Sequence, residues 1–149
     1  MSIDAIYNSK ILDYAGNIGG IGRLGSPDGS AKAHSKLCGS TVIVDVVMNG
    51  DKVEDFAQDV KACALGQASA SILAANVVGA DVEELRTARQ QLRSMLKDNG
   101  PAPTGRFEEL KFLEPVRDYR PRHASTMLAF DAVVEAAEQA LATSRPSVA

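Results

Sequence analysis

The sequence predicts a single α+β domain in which an antiparallel β-hairpin is flanked by helices. Its 149 residues, 45% of them hydrophobic, are enough for one compact domain with its own core. Residues 41–48 are mostly β-branched or apolar and alternate about a buried face, which is typical of a central strand. The Asn49-Gly50 dipeptide follows directly and favours a two-residue hairpin turn, so a return strand is expected over residues 52–62.

Helical periodicity predicts the longer elements on both sides of this hairpin. Apolar residues recur in these segments at spacings of three and four, which places them on one face of a helix. Asp81 and Glu84 have the spacing of a capping pair at a helix start. The expected helices cover residues 2–14, 64–79, 81–97 and 124–142, with a short helical turn at 107–113.

Glycine and proline mark the predicted connections. Residues 16–29 contain six glycines and one proline, so we expect a loop there. Residues 30–36 are interpreted as a short edge strand, and the segment 115–121, bounded by prolines, as extended chain. Residues 143–149 are expected to form a flexible tail of the single domain that spans 1–149.

Composition argues against several classes of partner. The formal net charge is −3, and the basic residues are spread along the chain, so no nucleic acid or anionic membrane is expected as a partner. No apolar run approaches the roughly 18 residues of a membrane span, and the first residues lack the basic start of a signal peptide. The sequence therefore predicts a cytoplasmic protein.

Two cysteines, Cys38 and Cys63, are the main candidates for chemistry. A structural disulfide is not expected in a reducing compartment, which leaves buried thiols, metal ligands or reactive groups. Cys38 precedes the first hairpin strand and Cys63 follows the second, so both are expected at the same end of the hairpin. Cys63 also opens a helix, where backbone amides stabilise a thiolate. Local sequence supports equally well that Cys63 only fills space among its apolar neighbours.

Several short segments together resemble the NifU/IscU-type iron–sulfur cluster scaffold proteins, including their SufU-like relatives. The matching segments occur in order across most of the chain. They are Leu37-Cys38-Gly39, Val53-Glu54-Asp55, Cys63 with Ala68-Ser69-Ala70-Ser71, and Met127-Leu128-Ala129-Phe130-Asp131-Ala132-Val133. The resemblance implies a SufE/NifU-like α+β fold, with a three-stranded antiparallel sheet packed against helices on one side and a metal site at the end of the sheet.

The resemblance also implies a set of metal ligands, from which this sequence departs at two positions. Members of the family usually carry three cysteines and an aspartate, and Cys38 and Cys63 match the first two cysteines. Ser40 stands where the family has its aspartate. The third cysteine aligns with His123 when the match starts from the upstream arginine, and with Ser125 when it starts from the last helix. His123 is the stronger donor and is the expected third ligand; its alternative role is an exposed residue that caps the last helix.

Two thiolates and one imidazole suit iron or a nascent [2Fe–2S] cluster, and they also suit zinc. The resemblance implies a cysteine desulfurase as sulfur donor and apo iron–sulfur proteins as acceptors. Cys38 is expected to be the more accessible thiol and the possible sulfur acceptor, with Cys63 as the anchoring ligand. Two alternatives stay open, a zinc-dependent sulfurtransferase that accepts persulfide sulfur and a non-metallated adaptor that keeps only the fold.

For His34 and for one cluster of arginines, the sequence predicts a role less specifically. His34 lies in the predicted edge strand and is interpreted as a solvated strand residue rather than a ligand. Arg117, Arg120 and Arg122 form a basic cluster that either docks an acidic partner surface or is ordinary solvated loop charge.

Overall fold

The computed structural model describes residues 9–36 and 39–144, and it has the predicted α+β architecture. A three-stranded antiparallel sheet is combined with four α-helices and two 3₁₀ helices in this part of the chain. In chain order the elements are α1 (Ser9–Gly16), β1 (Gly29–His34), β2 (Thr41–Asn49), β3 (Lys52–Lys61), α2 (Ala64–Asn76), α3 (Val82–Lys97), the long 3₁₀ helix (Gly105–Asp118), the short 3₁₀ helix (Arg120–Arg122) and α4 (His123–Ser144).

The sheet has the strand order β1-β2-β3, with both pairs antiparallel. Asn49 pairs with Lys52 across the predicted turn, and Gly50 has the positive φ of 64° that this turn requires. The edge strand expected at 30–36 is present as β1, which begins one residue earlier and ends two residues earlier. The hairpin and the edge strand predicted from the sequence are therefore confirmed.

One face of the sheet forms the core against the helices. Val42, Val44 and Val46 of β2 have no exposed surface, and α4 packs across β1 and β2. At Gly29 a Cβ atom would lie only 2.0 Å from the carbonyl oxygen of Ala136, so α4 approaches β1 as closely as a residue without a side chain allows. This close contact fixes the position of α4 against the start of β1.

An ion pair between the half-exposed Arg23 and the buried Asp45 ties the glycine-rich loop to the other face of β2. The Asp45 side chain is completely buried and accepts hydrogen bonds from Arg23 Nε at 2.6 Å, Ser30 Oγ at 2.6 Å and the Leu24 amide at 3.1 Å. Burial alone would raise the pKa of this carboxyl group, but the hydrogen bonds outweigh it and hold the pKa below its ordinary value. The loop over residues 17–28 is thus pinned to the sheet.

The segment 115–121 is helical rather than extended, so that prediction was wrong. The long 3₁₀ helix runs through Pro115, and Pro121 lies in the first turn of the short 3₁₀ helix. A 3₁₀ helix has three residues per turn, and proline's fixed φ is compatible with it. The buried apolar residues recur at this spacing of three, which is the sequence signal that would have identified the helix; they are Phe107, Leu110, Leu113 and Val116.

The remaining helix boundaries are close to those predicted. Asp81 and Glu84 form a complete capping box at the start of α3, in which each side chain bonds to the other's backbone amide. Helix α4 begins at His123 and continues to Ser144, two residues beyond the expected end. Residues 1–8 and 145–149, which include the predicted start of α1 and most of the tail, lie outside the described residues. No helix in the described part of the chain is long and apolar enough to cross a bilayer.

Candidate metal centre

The end of the sheet gathers the segments in which both cysteines occur. His34 pairs with Thr41, and Thr41 pairs with Lys61, so β1 ends, β2 begins and β3 ends along one edge. The turn from β1 to β2 is closed by a 2.9 Å hydrogen bond from the Ser35 amide to the Ser40 carbonyl. Cys38 itself lies outside the described residues, so its predicted proximity to Cys63 stays a prediction.

Cys63 is the N-cap residue of α2 and has the extended backbone typical of that position, with φ −68° and ψ 171°. Its carbonyl accepts the first helical hydrogen bond, from the Gln67 amide at 2.9 Å. Its side chain does not cap the helix. The half-buried sulfur lies instead 3.3 Å from the hydroxyl oxygen of Ser125, on the first turn of α4.

Ser125 is therefore the described residue that the fold places against Cys63. It is completely buried, and its hydroxyl also donates a 3.2 Å hydrogen bond to the carbonyl of Arg122. A hydroxyl has one hydrogen, so while that bond exists Ser125 can only accept a hydrogen bond from a protonated Cys63 thiol. When Cys63 is a thiolate, the hydroxyl must rotate towards the sulfur and give up the Arg122 carbonyl.

Gly66 makes this close approach of α2 and α4 possible. A Cβ atom at this position would lie 2.8 Å from the Cβ of Ala62 and 3.0 Å from the carbonyl oxygen of Ser125. The first separation is shorter than Cβ atoms tolerate, and the second would require the Ser125 backbone to move by a few tenths of an ångström. Sequence analysis missed Gly66, although glycine three residues after a helix-opening cysteine is costly for helix propensity and was a usable signal.

His123 opens α4 and is buried, with 6% of its surface exposed. Its Nε2 lies 3.0 Å from the carbonyl oxygens of both Val116 and Arg117. Carbonyl oxygens only accept hydrogen bonds, so Nε2 carries the hydrogen and Nδ1 is the nitrogen left for a metal. Histidine ligands typically donate their second ring N–H to such a carbonyl. The alternative interpretation of His123 as an exposed cap was wrong, because the preceding 3₁₀ helix covers the ring.

The structure separates the two candidates for the third ligand position. His123 and Ser125 are two residues apart on one helix, so their side chains leave the axis about 160° apart. Only Ser125 is hydrogen-bonded to Cys63. Within residues 9–36 and 39–144, no three histidine, cysteine or acidic side chains lie close enough together to hold a metal ion. The role of His123 as a ligand stays a prediction.

Known proteins resemble this chain over most of its length. The family model of the NifU-like N terminal domain matches residues 6–139. The iron-sulfur cluster assembly scaffold protein IscU of Thermotoga maritima is 23% identical over 136 residues, which are 91% of this chain and 95% of that protein.

Solved structures agree with the family match. The crystal structure of a nitrogen-fixing NifU-like protein (N-terminal) from Brucella abortus superposes with a TM-score of 0.92 at 57% identity, over 95% of this chain and 98% of that one. A candidate iron-sulfur cluster assembly scaffold protein for the SUF system from Fervidobacterium islandicum AW-1 gives a TM-score of 0.83 at 19% identity, over 91% and 99% of the two chains. At that identity the second likeness shows the fold alone. The chain belongs to the NifU-like N-terminal domain family of iron–sulfur cluster assembly scaffold proteins.

Proposed function

We propose that this protein binds iron or a nascent [2Fe–2S] cluster and transfers it to apo-proteins. One observation carries the proposal within the described residues. Cys63 is the N-cap residue of α2, and its half-buried sulfur, which bonds to no helix amide, faces the first turn of α4. This is a position from which a soft donor can hold a metal at the end of the sheet.

The proposed ligands are Cys38, Cys63 and His123. The pairing of Thr41 with Lys61 supports the first two, because it brings the chain on either side of the cysteines to one edge. For His123 the support is chemical, since its Nε2–H is held by two carbonyl groups and Nδ1 is left as a donor. Ser125 is the competing position, because it already contacts Cys63.

A site with two thiolates should hold a cluster less tightly than one with three. Thiolates are the ligands that iron–sulfur clusters prefer, and replacing one by imidazole or hydroxyl weakens the binding. A scaffold has to release its cargo, so weak retention is compatible with transfer. We propose a cysteine desulfurase as the source of sulfur and apo iron–sulfur proteins as the recipients.

Metal analysis of protein purified without oxygen tests the proposal. Iron together with acid-labile sulfide supports the scaffold role. Stoichiometric zinc without sulfide would favour the zinc-dependent sulfurtransferase, and the absence of both metals after reconstitution would favour the adaptor.

Three variants locate the third ligand. His123→Ala should lower the metal content if His123 Nδ1 is a ligand. Ser125→Ala should lower it if the Ser125 hydroxyl is the ligand instead. His34→Ala is the matched control, because His34 is exposed at the end of β1 and is not a proposed ligand. Equal metal content in His123→Ala and His34→Ala would remove His123 from the site. Near-native circular dichroism of each variant is required, since His123 and Ser125 are buried.

The site of sulfur transfer can be tested separately. Cys38 is the proposed acceptor, and Cys63 is held between α2 and α4. Incubation with a desulfurase and cysteine, followed by mass spectrometry of peptides, should show added sulfur on Cys38. Label found only on Cys63 would reverse the two roles.

A further inference from the structure

A concave site lies beside the candidate metal centre, and among the described residues His123 belongs to both. It is a cavity of about 490 Å³ between α3, the short 3₁₀ helix, the start of α4 and the end of β1. Small-molecule sites in proteins have volumes of roughly 300–1,000 Å³. Its size is therefore that of a site for a small ligand.

Positive charge converges on this cavity although the whole chain has a formal net charge of −3. Arg93 and Lys97 project into it from successive turns of α3, and Arg120 reaches it from the short 3₁₀ helix. Neither Lys97 nor Arg120 forms an ion pair with any residue that the structure describes. Two cations are thus available to a ligand. The predicted basic cluster is in part a feature of this concave site.

One acidic group, Asp131 of α4, opposes these cations. Its Oδ1 lies 3.6 Å from the guanidinium of Arg93 but accepts no hydrogen bond within the described residues. Burial raises the pKa of Asp131, while the charges of Arg93, Arg89 and Lys97 act in the other direction. The ion pair between Arg93 and Asp131 is long and lacks a hydrogen bond, so the Arg93 guanidinium keeps donors for a ligand.

The floor of the cavity is apolar. Met127 and Leu128 of α4 line it, each with 3% of its surface exposed, and Ala124 lies beside them. A free inorganic ion would gain nothing from this wall, whereas a carbon skeleton would bury surface against it. The concave shape also suits a small molecule better than the flat surface of a protein.

We propose that this cavity binds a small organic anion that carries two carboxylate or phosphate groups, held by Lys97, Arg120 and Arg93. Guanidinium groups bind both kinds of oxygen anion in bidentate fashion, and the ammonium group of Lys97 adds a point charge. The proposed contacts of the anion are these three cations. His123, a proposed metal ligand, also lines the cavity, so the anion would bind next to the metal.

Nuclear magnetic resonance titration of the full chain tests the proposal with two probes. Succinate carries two carboxylates, and 3-phosphoglycerate carries one carboxylate and one phosphate, so their relative affinities distinguish the two chemistries. Saturable shifts of the Lys97 and Arg120 amides are expected with at least one probe. Calorimetry gives the Kd.

Two double variants with the same change in charge provide the comparison. Lys97→Gln with Arg120→Gln should raise the Kd at least about tenfold, since two charged contacts are lost. Lys52→Gln with Lys111→Gln removes two exposed cations away from the cavity and should change the Kd less than about twofold.

Asp131→Asn should lower the Kd of the anion, whereas the Lys97→Gln and Arg120→Gln double variant raises it. It removes the only acid that lines the cavity in the described structure and frees Arg93, so the anion should bind several-fold more tightly. Non-saturable shifts, or an equal loss of affinity in the two double variants, would overturn the proposal. It would also fail if neither probe bound while Lys97→Gln with Arg120→Gln weakened desulfurase binding, because the surface would then dock an acidic protein.

Discussion

Replacing Gly66 by alanine should push the first turn of α2 away from α4 and disturb the contact between Cys63 and Ser125. The added Cβ would lie 2.8 Å from the Cβ of Ala62 and 3.0 Å from the Ser125 carbonyl oxygen. The contact with Ala62, just before α2, is shorter than Cβ atoms tolerate. The contact with the Ser125 oxygen requires α2 and α4 to separate by a few tenths of an ångström. That displacement falls on the segment that positions the Cys63 sulfur.

The size of the effect follows from two opposing contributions. Overpacking a core by one methyl group costs about 1–3 kcal/mol. Alanine in place of glycine recovers up to about 1 kcal/mol of helix propensity. The expected net loss is about 1–2 kcal/mol, which for a domain of this size lowers the Tm by about 3–6 °C.

Thermal unfolding and metal analysis of the same samples measure both consequences. Gly16→Ala is the matched control, because Gly16 ends α1 and an added Cβ there has no atom within 4 Å. It should leave the Tm unchanged or slightly higher and should not alter the metal content. Gly66→Ala should lower both. If Gly66→Ala matched the wild type in Tm and metal content, the close approach of α2 and α4 would not be what shapes this site.

Two further substitutions test the site and the loop. Ser125→Cys should increase iron and sulfide retained after anaerobic reconstitution, because it places a third thiol beside Cys63; Thr126→Cys, on the same turn, is the control, and equal retention in the two would contradict the prediction. Asp45→Asn should cost about 1–3 kcal/mol at pH 7, since it removes the charged acceptor of Arg23. The depressed pKa of Asp45 means that this contribution is complete above about pH 4–5 and is lost as pH falls through the folded-state value, so unfolding by denaturant should show a smaller difference between the proteins at pH 3 than at pH 7.

The strands were predictable because local sequence specifies them. The Asn49-Gly50 turn and the alternating valines of β2 define the hairpin without any distant contact. The helical structure of segment 115–121 was not predicted, because its prolines suggested extended chain. The three-residue spacing of the buried side chains is the signal that indicates a 3₁₀ helix. The Arg23–Asp45 pair was missed for another reason. An aspartate within a valine-rich strand gives no local sign that a loop twenty-two residues earlier will cover it.

The sequence correctly predicted that Cys63 lies at the start of a helix. It allowed two alignments for the third ligand position. Matching from the upstream arginine gave His123, and matching from the last helix gave Ser125. The structure shows why these differ. Helix α4 begins at His123, so a shift of two residues changes the side of the helix from which a side chain projects. The buried contact between Cys63 and Ser125 supports the match that starts from the last helix.

At the contact between Cys63 and Ser125, the position of the donor atom suits a third ligand but the donor is oxygen instead of sulfur. Gly66 still allows α2 and α4 to meet, and Ser125 presents an oxygen 3.3 Å from the sulfur, as a thiol at this position would present a second sulfur. Exchanging sulfur for oxygen changes the softness of the donor far more than its position. A neutral hydroxyl already bonded to the Arg122 carbonyl is a poor ligand for iron. If the third donor belongs at position 125, we expect weak metal retention, and Ser125→Cys alone should increase it.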